Sequence, residues 1–160
     1  SNRENIGGTF PIGEVFTESK DFSQMNGSVN IYAFASNDFT VNMHDPFRID
    51  IVEGLVVGWS DGAPQSFTDI VKTIKEYERP LIREIGFWLI RAITRERYVQ
   101  DITAFERILG MHLSMGEKHS VYKKPGMATN KTKFHVDLFP VVDRVLADGV
   151  VLFEDGKYCV

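Results

Sequence analysis

Apolar and polar residues alternate along much of the chain with the period of two that is typical of β-strands. The first clear stretch runs from Val29 to Ser36 and has apolar residues on both faces, which predicts a strand that is buried on both sides. Breaker residues at His44-Asp45-Pro46 and Glu53-Gly54 predict turns. Together with further strands at residues 38–43, 47–52 and 55–59, these turns predict an antiparallel meander.

The two ends of the chain also favour strands. Residues 141–146 and 150–153 are predicted strands joined by Asp148-Gly149, and a last short strand follows Asp155-Gly156. Asp-Gly pairs favour the tight turns of β-hairpins because both positions accept positive φ angles. The glycine-rich segment 7–17 predicts a loop that leads into a short strand.

One stretch has helical periodicity. Apolar residues recur every three or four positions between residues 66 and 78, which predicts an amphipathic helix that ends before Pro80. Ser66 and Asp69 are typical of an N-terminal capping pair, and a shorter helix is predicted at residues 102–109. The whole pattern predicts a mainly antiparallel α+β fold, with residues 1–160 forming one domain.

Composition and charge exclude several classes of function. The net charge is −4, whereas a nucleic-acid partner normally requires a basic face; we interpret the lysines of residues 117–133 as a solvated loop. The one cysteine, Cys159, excludes an intrachain disulfide and favours a reducing compartment. No apolar stretch reaches the roughly 18 residues that a membrane helix needs, so the expected location is the cytoplasm.

The histidines suggest a metal site. His135-Val136-Asp137 places an imidazole and a carboxylate two positions apart in a predicted strand, so both side chains point to the same side. Such nitrogen and oxygen donors suit zinc, although so short a motif is more often structural. His112 lies between Gly110 and Gly116, which permit close backbone approach. Its alternative interpretation is a half-buried histidine bonded to a backbone carbonyl.

Two glutamates, Glu14 and Glu84, lie in apolar surroundings. Removing a carboxylate from water is costly unless it is paired or binds a metal. Metal ligation would explain both glutamates together. For Glu84 a buried salt bridge with Arg83 or Arg91 is the alternative.

Four segments resemble motifs of the thermophilic-type metallo-aminopeptidases (the aminopeptidase T or leucyl aminopeptidase type), and they occur in the same chain order. They are Gly-Glu-Val-Phe-Thr at 13–17, Glu-Ile-Gly at 84–86, the stretch 105–116 that ends in His-Leu-x-x-Gly, and His-x-Asp at 135–137. Together they span most of the chain. Their joint ordered occurrence is more specific than any one of them.

This resemblance implies an amide hydrolase in which two divalent ions (zinc, cobalt or manganese) activate water at a peptide N-terminus. Glu84 is expected to act also as the acid/base. The family has a tyrosine seven residues after its metal-binding histidine, and His119 stands there in this chain; it is expected to take a catalytic role. The implied metal ligands are Glu14, Glu84, His112, His135 and Asp137.

The resemblance further implies a C-terminal catalytic domain that forms a homodimer, with an N-terminal domain of the same chain missing from this sequence. The departure at His119 leaves two alternatives open. One is a non-catalytic or repurposed relative that serves as a metal-binding or assembly domain. The other is a hydrolase of a non-peptide amide. Trp59 and Trp88 are interpreted as core residues without a function.

Overall fold

The computed structural model describes residues 6–9, 13–19, 21–36, 38, 40–105, 107–116 and 134–159. His119 and the lysine-rich segment 117–133 lie outside the described residues. Within the described part the predicted α+β class is confirmed, with eleven strands and two α-helices. The strands are β1 Ile6–Thr9, β2 Glu14–Thr17, β3 Gly27–Ala35, β4 Val41–Val52, β5 Leu55–Trp59, β6 Ile82–Trp88, β7 Gly110–Gly116, β8 His135–Pro140, β9 Arg144–Ala147, β10 Val150–Glu154 and β11 Lys157–Tyr158; the helices are α1 Gln65–Tyr77 and α2 Ile102–Phe105.

The strands form one large and one small antiparallel sheet. The large sheet has the order β1-β2-β6-β7-β8-β3-β4-β5, and the small one has the order β11-β10-β9. The predicted meander is formed, but by the three strands β3-β4-β5, because the predicted strands 38–43 and 47–52 belong to the single strand β4. The strands β6, β7 and β8 lie at the centre of the large sheet, where neighbours on both sides satisfy their backbone groups.

The predicted turn at residues 44–46 is wrong, because β4 runs through it. Residues 44–46 lie between Met43, which pairs with Ala33, and Phe47, which pairs with Ile31. Three residues of β4 are therefore opposite Tyr32 alone, as in a bulge. The pairing of β5 with β4 starts only at Ile49. Proline is tolerated in a strand where no neighbour needs its missing N–H, which explains how Pro46 fits here.

The main helix is confirmed, but its predicted cap is not. α1 begins at Gln65 after Pro64, which makes no side-chain cap bond, and Asp69 instead accepts a hydrogen bond from Gln65 at 2.7 Å. The second helix is shorter than predicted, since α2 ends at Phe105 and turns follow before β7. No helix in the described ranges is long and apolar enough to cross a membrane.

The tight turns near the C-terminus follow the sequence pattern. Asp148 and Gly149 have φ angles of 50° and 82°, and Asp155 and Gly156 have φ angles of 46° and 76°. These positive values are the ones that two-residue hairpin turns require. The turns close the small sheet, although its first strand begins at Arg144 and not at the predicted residue 141.

Buried side chains lie on both faces of the large sheet. The helix α1 packs on one face against an apolar core that includes Phe34, Phe47, Leu113, Met115 and Leu138. A smaller apolar cluster covers part of the other face; it consists of Tyr32, Ala33, Ala35, Val41, Phe105, Ile108 and Phe139. Because side chains alternate along a strand, the residues of β7 and β8 between those that face α1 point to this second face. His112, Ser114 and Asp137 are among them.

Candidate metal site

Three neighbouring strands bring Glu14, Glu84 and His112 together. In the sheet Glu14 of β2 pairs with Trp88 of β6, and Gly86 of β6 pairs with His112 of β7. The Nε2 atom of His112 lies 3.9 Å from Oε1 of Glu14 and 3.8 Å from Oε1 of Glu84. One ligand atom from each of the three residues lies within 4.8 Å of the other two. Two carboxylates and an imidazole thus converge on one point.

The burial of this cluster makes it unusual. His112 is 3 % exposed and Glu84 is 5 % exposed. The Oε2 atom of Glu84 is buried and has no hydrogen-bond partner. The salt bridge with Arg83 or Arg91 is not formed; the ionic contact of Glu84 is with His112. A buried carboxylate oxygen without a partner is costly, so Glu84 is placed where a ligand would compensate it.

Gly86 makes room for the imidazole of His112. A Cβ atom on Gly86 would lie 1.9 Å from Cε1 of His112 and 2.5 Å from its Nδ1. Such distances are far below van der Waals contact. The ring of His112 therefore lies directly over the backbone of β6, and only glycine allows this.

The second ring nitrogen of His112 is held by a tryptophan. The indole Nε1–H of Trp88 donates to Nδ1 of His112 at 2.8 Å, in a buried hydrogen bond. The alternative for His112, a half-buried histidine bonded to a backbone carbonyl, is therefore wrong. Trp88 is buried, as predicted for a core residue, and in addition it holds His112. The ring of Trp88 lies 5.9 Å from that of His112.

Charges around His112 act on its pKa in opposite directions. Burial lowers the pKa of His112, but the carboxylates of Glu84, Asp137 and Glu14 outweigh this and raise it. The indole of Trp88 limits this rise, because the imidazolium carries a proton on Nδ1 and could not accept the indole N–H. The carboxylates favour a proton on Nε2, the nitrogen that faces Glu14 and Glu84.

The predicted pair His135 and Asp137 lies beside this cluster on β8. Nε2 of His135 is 3.2 Å from Oδ1 of Asp137, which confirms that the two side chains lie on the same side of the strand. The same oxygen accepts a hydrogen bond from Ser114 at 2.7 Å. Burial raises the pKa of Asp137, but His135, His112 and Ser114 outweigh it and lower the pKa to about 2. Asp137 is therefore an anion at neutral pH.

The structure thus arranges the five predicted ligands as a group of three and a neighbouring pair. The supporting roles of Gly86, Trp88 and Ser114 were not predicted from the sequence. The signal for them was alternation: Gly86 and Trp88 lie two and four positions after Glu84 on one strand, and Ser114 lies two positions after His112. The proposed catalytic residue His119 lies outside the described residues.

The sequence matches no protein-family model, and no curated protein is significantly similar to it. The resemblance of the four segments to the thermophilic-type metallo-aminopeptidases therefore stays a prediction from sequence.

Proposed function

We propose that Glu14, Glu84 and His112 bind a divalent metal ion and that the chain is the catalytic domain of a metal-dependent, aminopeptidase-like amide hydrolase. The observation that carries the proposal is the convergence within 4.8 Å of the half-buried Glu14 and the buried Glu84 and His112. The unpartnered Oε2 of Glu84 adds to it. Such a cluster is costly without a cation, because two carboxylates share a site from which water is largely removed.

Two of the three spacings in the cluster, those from His112 to each glutamate, are close to the spacing of ligands around a small cation. Zinc lies roughly 2.0–2.2 Å from nitrogen and oxygen ligands, so two ligands of a tetrahedral ion lie about 3.4 Å apart. The distances from Nε2 of His112 to the two glutamate oxygens, 3.8 and 3.9 Å, exceed this by only a few tenths of an ångström. One imidazole and two carboxylates also suit cobalt and manganese.

A second ion is proposed at the pair His135 and Asp137. Asp137 lies on the strand next to His112, and its charge acts on the pKa of His112. An imidazole and a carboxylate 3.2 Å apart add donors of the same kind as the first group. In two-metal hydrolases the ions lie roughly 3.5–4 Å apart. The resemblance to the metallo-aminopeptidases supports this second ion.

The proposed reaction is the hydrolysis of an amide bond next to a free amine. Bound metal ions would supply Lewis-acid polarisation of the amide carbonyl and a more acidic water molecule. Glu84 then has two separate tasks in the chain: Oε1 faces His112 and the cation position, whereas Oε2 is free to accept a proton. The catalytic role implied for His119, homodimer formation and a cytoplasmic location are carried over as parts of the same proposal.

Activity on aminoacyl-p-nitroanilides tests this proposal. The chain is assayed after metal removal and after addition of zinc, cobalt or manganese. We expect metal-dependent release of p-nitroaniline that falls at least about a hundredfold in Glu84→Gln, since a positioned acid/base typically contributes that much. Glu76→Gln is the matched control, because Glu76 is exposed on α1. Equal activity of Glu84→Gln and the control would contradict the proposed mechanism.

One observation favours a second candidate, a non-catalytic relative that has kept the fold. A histidine that binds a metal through one nitrogen usually donates the other N–H to an acceptor. Here Nδ1 of His112 instead meets a donor, the indole N–H of Trp88. Zinc binding without turnover of any amide would support this candidate as a metal-binding domain. If the chain neither binds zinc nor hydrolyses an amide, only the role as an assembly domain is left.

A further inference from the structure

We infer that Trp88 is a positioning residue that keeps His112 in the tautomer with its proton on Nε2, and thereby weakens metal binding at the site. This inference rests on the proposed function, because the consequence concerns the same metal ligands. It starts from one hydrogen bond: Trp88 Nε1 to His112 Nδ1, 2.8 Å, buried. An indole N–H can only donate. Nδ1 must therefore be the unprotonated nitrogen.

The proton of a neutral His112 is then fixed on Nε2. A neutral imidazole has one N–H and one acceptor nitrogen, and the partner of one nitrogen decides the state of the other. Nε2 points toward the carboxylates, at 3.9 Å from Glu14 and 3.8 Å from Glu84. In the metal-free cluster an N–H group of His112 thus faces the two carboxylates, at distances too long for a hydrogen bond.

Ring rotation cannot easily relieve this arrangement. The imidazole lies over Gly86, where a Cβ atom would be 1.9 Å from it, and it is 3 % exposed. Binding of a metal by Nε2 requires that the proton leave this atom. If the proton moves to Nδ1, it meets the indole N–H of Trp88, and the 2.8 Å hydrogen bond is lost. Trp88 therefore opposes the metal-ligating form of His112.

The chain offers a matched control for Trp88. Trp59 is the other tryptophan of the chain; it packs against Phe67 on the α1 face, with ring centroids 6.0 Å apart. Trp59→Phe makes the same chemical change away from the site. β-(3-Benzothienyl)alanine at position 88 is a closer variant than phenylalanine, because it keeps the indole shape and replaces only the N–H group by sulfur.

The first test is the tautomer of His112 in the metal-free wild-type chain, measured by long-range ¹H–¹⁵N NMR with ¹⁵N-labelled histidine at pH 8. The signals of His112 are assigned by their loss in His112→Gln. We expect the Nε2–H tautomer in the wild type and in Trp59→Phe, and a shift toward Nδ1–H in Trp88→Phe or the benzothienyl variant. An Nδ1–H tautomer or an imidazolium in the wild type would overturn the inference.

The second test is a zinc titration of the same proteins by calorimetry. We expect the donor-free variant at position 88 to bind zinc about tenfold more tightly than the wild type. The reason is that zinc binding breaks the hydrogen bond from Trp88 in the wild type, whereas the variant has no such bond to lose. Equal affinities would overturn the inferred effect on metal binding. If no protein binds zinc, the metal site of the proposed function is contradicted, and the tautomer alone decides the role of Trp88.

Discussion

Both faces of the large sheet carry buried side chains, but these side chains differ in their chemistry. On the α1 face, Leu113 and Met115 of β7 pack into an apolar core with Phe67 and Ile74. On the other face the alternating residue His112 and its neighbours form an ionisable cluster with Glu84 and Asp137. The α1 face stabilises the fold through apolar burial. The second face carries groups whose burial costs stability, which is the usual mark of a functional site.

The largest expected effect is on the α1 face. Phe67 is fully buried, and its ring contacts those of Phe34, Phe47 and Trp59 at centroid distances of 4.9 to 6.0 Å. Phe67→Ala should lower the free energy of unfolding by about 3–5 kcal/mol. Urea denaturation measures this loss. Val57→Ala, at a position that is 52 % exposed, should change stability by less than about 0.5 kcal/mol; equal losses in both variants would contradict the assignment of the core.

The next effect separates the two faces. Gly86→Ala places a Cβ atom against the ring of His112, so we expect a loss of about 1–3 kcal/mol from overpacking and a loss of zinc affinity. Gly58→Ala is the control, because its Cβ atom would lie 3.5 Å from Oδ2 of Asp50, an ordinary contact. Denaturation and zinc titration of both variants give the comparison. Unchanged zinc affinity in Gly86→Ala would show that the position of His112 does not matter.

A change of opposite sign is expected at Glu84. Glu84→Gln removes a buried charge whose Oε2 has no hydrogen-bond partner, so it should raise the stability of the metal-free chain by about 1 kcal/mol. Thermal and urea unfolding in the presence of a chelator measure this. The exposed Glu76→Gln should be neutral. If Glu84→Gln is less stable than the wild type, the interactions of the Glu84 carboxylate in the folded chain outweigh the cost of burying its charge.

The smallest effect concerns the link between the two sheets. The hydroxyl of Tyr158 in β11 lies 2.9 Å from the carbonyl oxygens of Trp88 and of Gly110, which share its single O–H donor. Burial raises the pKa of Tyr158 to about 12 from its ordinary value of 10.0. The corresponding stability is present below pH 10 and is lost as the pH rises toward 12.

Tyr158→Phe should therefore lower the free energy of unfolding by about 0.5–1.5 kcal/mol at pH 8, and less at pH 11. Urea unfolding at both values, with ultraviolet titration of the tyrosines, measures the difference. If Tyr158→Phe lowers the free energy of unfolding by the same amount at pH 8 and pH 11, folding does not raise the pKa of the Tyr158 hydroxyl.

The sequence pattern predicted the sheet better than it predicted the site. Period-two alternation and Asp-Gly turns depend on local chemistry, so β3, β5 and the C-terminal hairpins follow from them. Residues 44–46 were wrongly predicted as a turn. Proline fits in β4 at this point only because β5 does not pair with these residues, and this depends on the tertiary structure.

The site was partly predictable for a similar reason. His135 and Asp137 lie two positions apart on one strand, so their contact follows from local geometry. Glu14, Glu84 and His112 come together only because β2, β6 and β7 are neighbours in the sheet. Period-two alternation alone could not show that Trp88, on the strand of Glu84, would donate to a histidine 24 residues away.

The most direct test of the proposed metal site is the zinc content of the chain by plasma mass spectrometry, after dialysis of the metal-free protein against zinc and removal of the excess. The wild type and Glu76→Gln should retain at least one zinc ion per chain, approaching two if His135 and Asp137 hold the second. Glu84→Gln should retain far less. Zinc contents that are equal in the wild type and Glu84→Gln, or negligible in all three proteins, would contradict the Glu14–Glu84–His112 metal site.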